Sequence, residues 1–232
     1  MGRTGIRRTS FWGKLFIFLL LLLVVAPVAL LLIFRFLPVP ATPQMLWSLA
    51  QGKGARYAWS DDLPLFLGKA VIGSEDQNFC NHRGFDWKSI DQAVAAHERH
   101  PARRLRGAST ISQQTARTLF LVPVRSWIRK GMEAYLTVLI EALWPKKRIL
   151  EAYLNLVDWG HGNFGAEAAA RAYFHTNAAG LSRAEAARLA AILPDPDKWN
   201  AANPGPYVAS RSELLVARAG EVTRDNLDFC LK

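Results

Sequence analysis

Between Leu15 and Phe34 the chain reads LFIFLLLLLVVAPVALLLIF, 20 residues without a charge. At about 1.5 Å rise per residue, a helix of this length covers the roughly 30 Å hydrocarbon core of a bilayer. A cleaved signal peptide would carry only ~7–15 apolar residues ahead of a small-residue cleavage site. This run is longer and passes into RFLPVPATP with no A-x-A site, so it reads as an uncleaved anchor. Pro27 in its middle is tolerable in a membrane helix. Arg3, Arg7, Arg8 and Lys14 precede the run, and only Arg35 follows it closely. Positive residues stay cytoplasmic, which places the N-terminus inside and everything beyond about residue 38 outside.

The chain thus divides into a basic cytoplasmic tail (1–14), a transmembrane helix (15–36), a linker (37–50) opened by the proline-rich LPVPATPQ, and an extracytoplasmic domain (51–232) long enough for a real core. A composition that is 50% hydrophobic excludes a disordered chain. The net charge of +10 points to anionic partners, phospholipid or a phosphorylated substrate, and that compartment offers no nucleic acid. Cys80 and Cys230 are the only cysteines. A disulfide is permitted outside the membrane, but two cysteines so far apart do not establish one, and partly buried free thiols are the expectation.

Helical periodicity dominates the outer domain, and alternating β-branched runs are few, which predicts a mostly α fold. TISQ (Thr110 to Gln113) and SRAE (Ser182 to Glu185) match capping boxes ahead of helices. Pro194 stops the second of these, and Pro145 separates a helix over about 126–143 from another opening at KKRILEAYLN. DWGHGNFG is a glycine-rich loop before an alanine-rich helix near 166–173. HERHPARRLRG carries no apolar period and reads as an exposed basic loop. Its HERH lacks HExxH spacing, so no metal site is expected there.

Four constellations could carry chemistry. Glu75, in SEDQ, follows LFLGKAVIG and falls near the end of a helix, which fits either a solvated acid closing the helix or a general base or acid. In GASTISQQTAR, helical spacing aligns Ser109, Gln113 and Arg117 as a hydroxyl-amide-guanidinium stripe, which fits either an ordinary solvated helix face or a sugar phosphate site. In RSWIRKGMEAY, Arg125, Arg129 and Glu133 share a face, which fits either surface ion pairs or a diphosphate site. In KKRILEAYLN, Ile149 with Tyr153 and Leu150 with Leu154 form an apolar face, with Glu151 and Asn155 elsewhere, as in a supporting helix.

Taken together and in order, these stretches resemble the peptidoglycan glycosyltransferase family, in its short single-domain form. EDQNFCNHRG resembles EDxxFxxHxG, GASTISQQTAR resembles GxSTxxQQxxK, RKGMEA resembles RKxxEx, and KKRILEAYLN resembles KxxILExYLN. Arg117 stands where the family usually has lysine, and RSELLVAR only loosely resembles the last motif, RxxxVL.

The resemblance implies a mostly α, lysozyme-like lobe with a smaller membrane-proximal jaw subdomain behind one N-terminal transmembrane helix. It implies polymerisation of glycan strands from lipid II at the bacterial inner membrane, in cell-wall biogenesis, without transpeptidase activity. By that pattern Glu75 is the base and Glu133 a second site carboxylate. Arg117, Arg125, Arg129 and Lys130 would hold diphosphate, while Ser109, Thr110, Gln113 and Gln114 would shape the sugar site. Asp76, Phe79, His82, Gly84, Lys146, Glu151, Tyr153 and Asn155 would support it. No cofactor is obligatory, although a divalent cation such as Mg2+ or Mn2+ could assist. Partners would be lipid II, the nascent strand, the bilayer and other wall-synthesis proteins. The rival readings are a lytic enzyme sharing the lobe and the glutamate, which needs no diphosphate-binding cations, and a silent scaffold.

Overall fold

The computed structural model describes residues 11–99, 108–124 and 126–232. The tail arginines, most of the basic loop after Arg99, and Arg125 lie outside the described residues. The chain forms two units, residues 1–37 and 38–232.

The first unit is a helix running over Phe11–Phe34, and among the described residues it is the one long and apolar enough to cross a membrane. It starts before the expected boundary and carries Lys14 in its first turns. Two α-helical stretches, α1 (Phe11–Leu20) and α2 (Ala26–Phe34), flank a wider π-type turn at Leu21–Val25. Pro27 lacks an N–H and its ring crowds the carbonyl four residues back, and a widened turn just ahead relieves both problems.

The second unit begins earlier than the sequence suggests. The segment expected as linker contains helix α3 (Pro43–Ala50), started by Thr42, whose hydroxyl accepts from the Met45 N–H at 3.3 Å. Proline at the first helical position needs no N–H there, so the same prolines that suggest an extended linker also suit a helix start.

Helices α4 (Leu65–Glu75), α5 (Trp87–Arg99), α6 (Ile111–Phe120), α7 (Trp127–Leu143), α8 (Lys146–Leu156), α9 (Ala166–Phe174), α10 (Arg183–Ile192) and α11 (Pro206–Arg224) make up the rest, with a closing 3-10 turn at Phe229–Leu231. Both capping boxes are present, at Thr110–Gln113 and Ser182–Glu185. The Pro145 break also falls as expected. The basic loop begins later than expected, because His97, Glu98 and Arg99 form the last turn of α5.

Helix α4 packs against α8, α10 and α11, and α6 packs against α7 and α8. Leu67, Val71 and Ile72 of α4 are fully buried, as are Phe79, Ile149, Leu156 and Trp159. Each such side chain contributes on the order of 2 kcal/mol by leaving water. The strand pairing is short and parallel, β1 (Arg56–Tyr57) on β2 (Asn163–Phe164), with an antiparallel bridge from Asp158 to Phe164 beside it. The glycine-rich loop reaches β2 through Gly160, whose φ is 95°. A Cβ there would stand 2.0 Å from the Pro196 carbonyl oxygen, so this approach requires glycine.

The expectation of free thiols is overturned: Cys80 and Cys230 form a disulfide, with Cα atoms 5.5 Å apart. Helix α11 runs back along α4, which returns the closing turn to the segment just after Glu75. Lys69 reinforces the return, donating to Thr223 Oγ1 at 2.8 Å and pairing with the buried Asp228 at 3.2 Å. The sequence separation of 150 residues hides a proximity made wholly by tertiary packing. Replacing both cysteines by serine is expected to destabilise the outer domain by about 2–4 kcal/mol, read as a lowered Tm. An unchanged Tm would show that packing alone holds the closing turn.

Candidate active site

Glu75 is the last residue of α4, as the sequence predicts, and lines a cleft of about 510 Å³. Ser74, Asn78, Ser89, Gln92, Ser109 and Thr110 supply much of its polar wall, and Lys88 and Arg218 its cations. Each carboxylate oxygen of Glu75 receives a donor. Ser74 Oγ donates to Oε1 at 3.0 Å, and Gln114 Nε2 donates to Oε2 at 3.2 Å.

The Gln114 amide cannot turn over without loss. Its Oε1 accepts from the Tyr153 hydroxyl at 3.2 Å, and its Nε2 also reaches the Ser109 carbonyl at 3.4 Å. Full burial pushes the Tyr153 phenol well above its ordinary value, and Glu75 and Asp76 add to the effect against an opposing Arg117. Tyr153 therefore stays a donor throughout the working pH range. The Ser109 carbonyl can only accept, and it therefore holds the amide with its NH2 toward Glu75 and its oxygen toward the phenol.

Below Glu75 the first motif folds into a tight brace. The Gly84 N–H donates to His82 Nδ1 at 3.1 Å, which leaves the proton on Nε2 to donate to Asp76 at 2.9 Å. Asp76, itself buried, also accepts the Ile111 N–H at 2.9 Å and so holds the first turn of α6. Thr110 Oγ1 donates to the Gly84 carbonyl at 2.7 Å. Gly84 has φ of 90°, and a Cβ on it would lie 2.7 Å from Thr137 Cγ2, so α7 closes directly over this turn. Phe79 is fully buried beneath the Lys146 ammonium, 4.5 Å from the ring centre. Asp86 starts α5, accepting from Ser89 N–H at 3.0 Å and from Asn78 at 2.8 Å. Burial pushes its carboxyl up, but the bonds from Ser89 and Asn78 outweigh it and hold the group below the ordinary range.

The expected stripe of Ser109, Gln113 and Arg117 does not form. Thr110 is the non-helical cap of α6, so the helical phase starts at Ile111, and buried Gln113 accepts the Thr110 N–H at 3.0 Å inside the capping box. Gln114 and Arg117 share the outward face instead, and Arg117 has no acidic partner among the described residues.

Glu133 is nearly fully buried and is not among the residues lining the Glu75 cleft. It pairs with Arg129 Nη1 at 2.7 Å and with Lys130 Nζ, leaving the trio one positive charge in excess. Arg129 Nε is buried without a hydrogen-bond partner among the described residues.

On α8, Glu151 pairs with Arg148 at 2.8 Å. Asn155 clamps the chain before α4, accepting the Ser60 N–H at 2.8 Å and donating to its carbonyl at 3.0 Å. Lys146 pairs with Glu141 at 2.6 Å, and Ser112 donates to the same carboxylate. Glu141, which ties α6, α7 and α8 together, was missed in the sequence, as were Ser74, Lys88, Arg211 and Arg218. For Arg211 and Arg218 the available signals are RSELLVAR itself, which loosely resembles the family's last motif, and their heptad spacing, which puts both on one face of α11.

The sequence matches the family model described as transglycosylase over residues 44–219, from α3 into α11. The chain belongs to the transglycosylase family. Curated relatives agree along nearly the whole length. A biosynthetic peptidoglycan transglycosylase of Caulobacter vibrioides is 47% identical over 220 residues, covering 94% of this chain and 95% of the relative. One of Pseudomonas aeruginosa is 48% identical over 231 residues, covering 96% and 97%. One of Rhodospirillum centenum is 47% identical over 207 residues, covering 88% and 89%. This transglycosylase chain therefore carries its Glu75 cleft within the matched domain, behind an N-terminal helix suited to a single-pass anchor.

Proposed function

We propose that the protein polymerises the glycan strands of peptidoglycan, transferring a growing lipid-linked chain onto the 4-hydroxyl of lipid II. Ionised Glu75 takes the proton from that hydroxyl as its oxygen attacks the anomeric carbon of the donor. The new C1–O4 bond forms as the C1–O bond to the diphosphate breaks, so the configuration inverts to a β-1,4 linkage. Polyprenyl diphosphate leaves with the electron pair.

The observation that carries this reading is the Glu75 carboxylate held at both oxygens by Ser74 and Gln114 at the edge of a polar cleft. Positioning a base within reach of a bound hydroxyl is worth orders of magnitude in rate. Among the described residues Arg117 has no acidic partner and Arg129 has a buried free donor, and both fit the negative charge that develops on the leaving diphosphate. Arg125, four residues before Arg129 in the sequence, is assigned to the same group by the family resemblance. A divalent cation could add to that neutralisation, and no step requires one.

The anchor fits a substrate that never leaves the bilayer, because tethering raises its effective concentration. The tail arginines orient the N-terminus toward the cytoplasm of the inner membrane, with the catalytic domain in the periplasm, where the Cys80–Cys230 disulfide can persist. Lipid headgroups, the nascent strand and other wall-synthesis proteins are the partners this placement offers.

The test supplies purified full-length protein with labelled lipid II and, separately, with finished glycan. Polymer from the first and no cleavage of the second is expected. Cleavage of finished glycan without polymer would make the protein a lytic enzyme.

A further inference from the structure

The geometry points to Arg211 as a positioning residue that acts on Glu75 through the Ser74 hydroxyl, an inference that rests on Glu75 being the base. Arg211 stands on α11, the helix that packs along α4. Its Nη2 donates to Ser74 Oγ at 2.9 Å. A serine hydroxyl has one proton to give, and with the guanidinium pointing at its lone pair, that proton must turn away from Arg211. The acceptors on offer are Glu75 Oε1 at 3.0 Å and the Ala190 carbonyl at 3.4 Å. The nearer is a carboxylate, the stronger acceptor, so the hydrogen bonds run in one direction, from Arg211 to Ser74 to Glu75.

This arm mirrors the one on the other oxygen, where the Ser109 carbonyl and Tyr153 hold Gln114 and Gln114 fixes Oε2. Between them the arms hold the plane of the carboxylate and leave its remaining lone pairs for the cleft. Arg211 does not line that cleft, so its influence on a bound hydroxyl passes through Ser74. Its Nε is buried without a partner among the described residues, which leaves its charge poorly screened by water. Arg218, one face-repeat further along α11, instead donates to the Gly73 carbonyl at 3.3 Å and lines the cleft itself.

The test measures kcat and KM for labelled lipid II, with Tm, on full-length variants in phospholipid vesicles. Ser74→Ala and Arg211→Ala are each expected to lower kcat by about tenfold, the scale of one charge-assisted hydrogen bond. KM should move less than about twofold, because the arm orients the base and touches no substrate. The double variant should lose no more than Ser74→Ala alone, since the residues act in series, and Arg211→Lys should recover most of the loss. An Arg211→Ala enzyme with wild-type kcat, losses that multiply in the double variant, or a raised KM at unchanged kcat would each overturn the inference. Should Arg211→Ala fail to fold, Ser74→Ala decides: wild-type kcat in that near-isosteric variant sinks the inference. Glu75→Gln run alongside separates the two levels. If it is inactive while the arm variants are normal, only the arm falls; if it is active, the assignment of the base falls.

Discussion

Glu133→Ala is expected to lower the stability of the outer domain by about 2–3 kcal/mol and to abolish most strand synthesis. Removing one partner of a buried ion pair strands the other charges, which costs roughly 3–5 kcal/mol when both are fully enclosed. Here the figure is discounted because the Lys130 side chain is 42% exposed and Arg129 19%, so water takes up part of the charge. Arg129 is the more consequential loss. Its Nη1 is held by Glu133 while its Nε is already buried and unpaired among the described residues, so without the carboxylate no hydrogen bond among them fixes the guanidinium. The negative charge building on the leaving diphosphate would then meet a disordered pair of cations in place of a fixed one. Thermal unfolding and lipid II turnover check the two halves separately. Glu133→Gln keeps the shape and an acceptor, and should retain more stability than Glu133→Ala. An alanine variant with wild-type Tm and turnover would show that Arg129 and Lys130 need no anchor.

This role also revises what the motif pattern implies for Glu133. A carboxylate enclosed by Arg129 and Lys130 is placed to anchor those two cations, which under the proposed function would meet the diphosphate.

Much of the frame was legible in the sequence because its signals are local. The end of α4 at Glu75, the boxes at Thr110 and Ser182, and the break at Pro145 depend on residues within a turn of each other, where backbone groups must be satisfied or cannot be. The anchor was legible for the same reason, since twenty apolar residues need no tertiary context.

The errors fall where local and tertiary logic diverge. TISQ matches a capping box and also falls within a stripe reaching back to Ser109, and the two conflict. A box makes Thr110 non-helical and commits Gln113 to it, so the box itself already pointed to Gln114 as the residue free to reach Glu75.

Other contacts have no local signal for the partner that each residue meets. Cys80 meets Cys230, Arg211 meets Ser74, and Ser60 meets Asn155 only because α8 and α11 fold back beside α4 and its flanking segments. Glu141 was unreadable in the same way, since its partners lie on different helices.

Glu75→Gln is the other variant expected to have a large effect, and it bears on the central claim. The amide keeps the shape, its oxygen can still accept from Gln114, and its NH2 can donate to Ser74, whose own proton then turns to the Ala190 carbonyl, so packing and Tm should hold. It cannot take a proton from an attacking hydroxyl, and losing a positioned base costs roughly 10²–10⁴-fold in rate. Lipid II should still bind, because Glu75 contributes little binding energy to a substrate dominated by its diphosphate and lipid. The most direct measurement therefore sets binding against turnover for this one variant, in the same vesicles and with the same labelled lipid II as the wild type. Wild-type affinity with strand synthesis reduced by about a thousandfold or more is the predicted result. Strands made at the wild-type rate by Glu75→Gln would contradict the account, whatever its affinity.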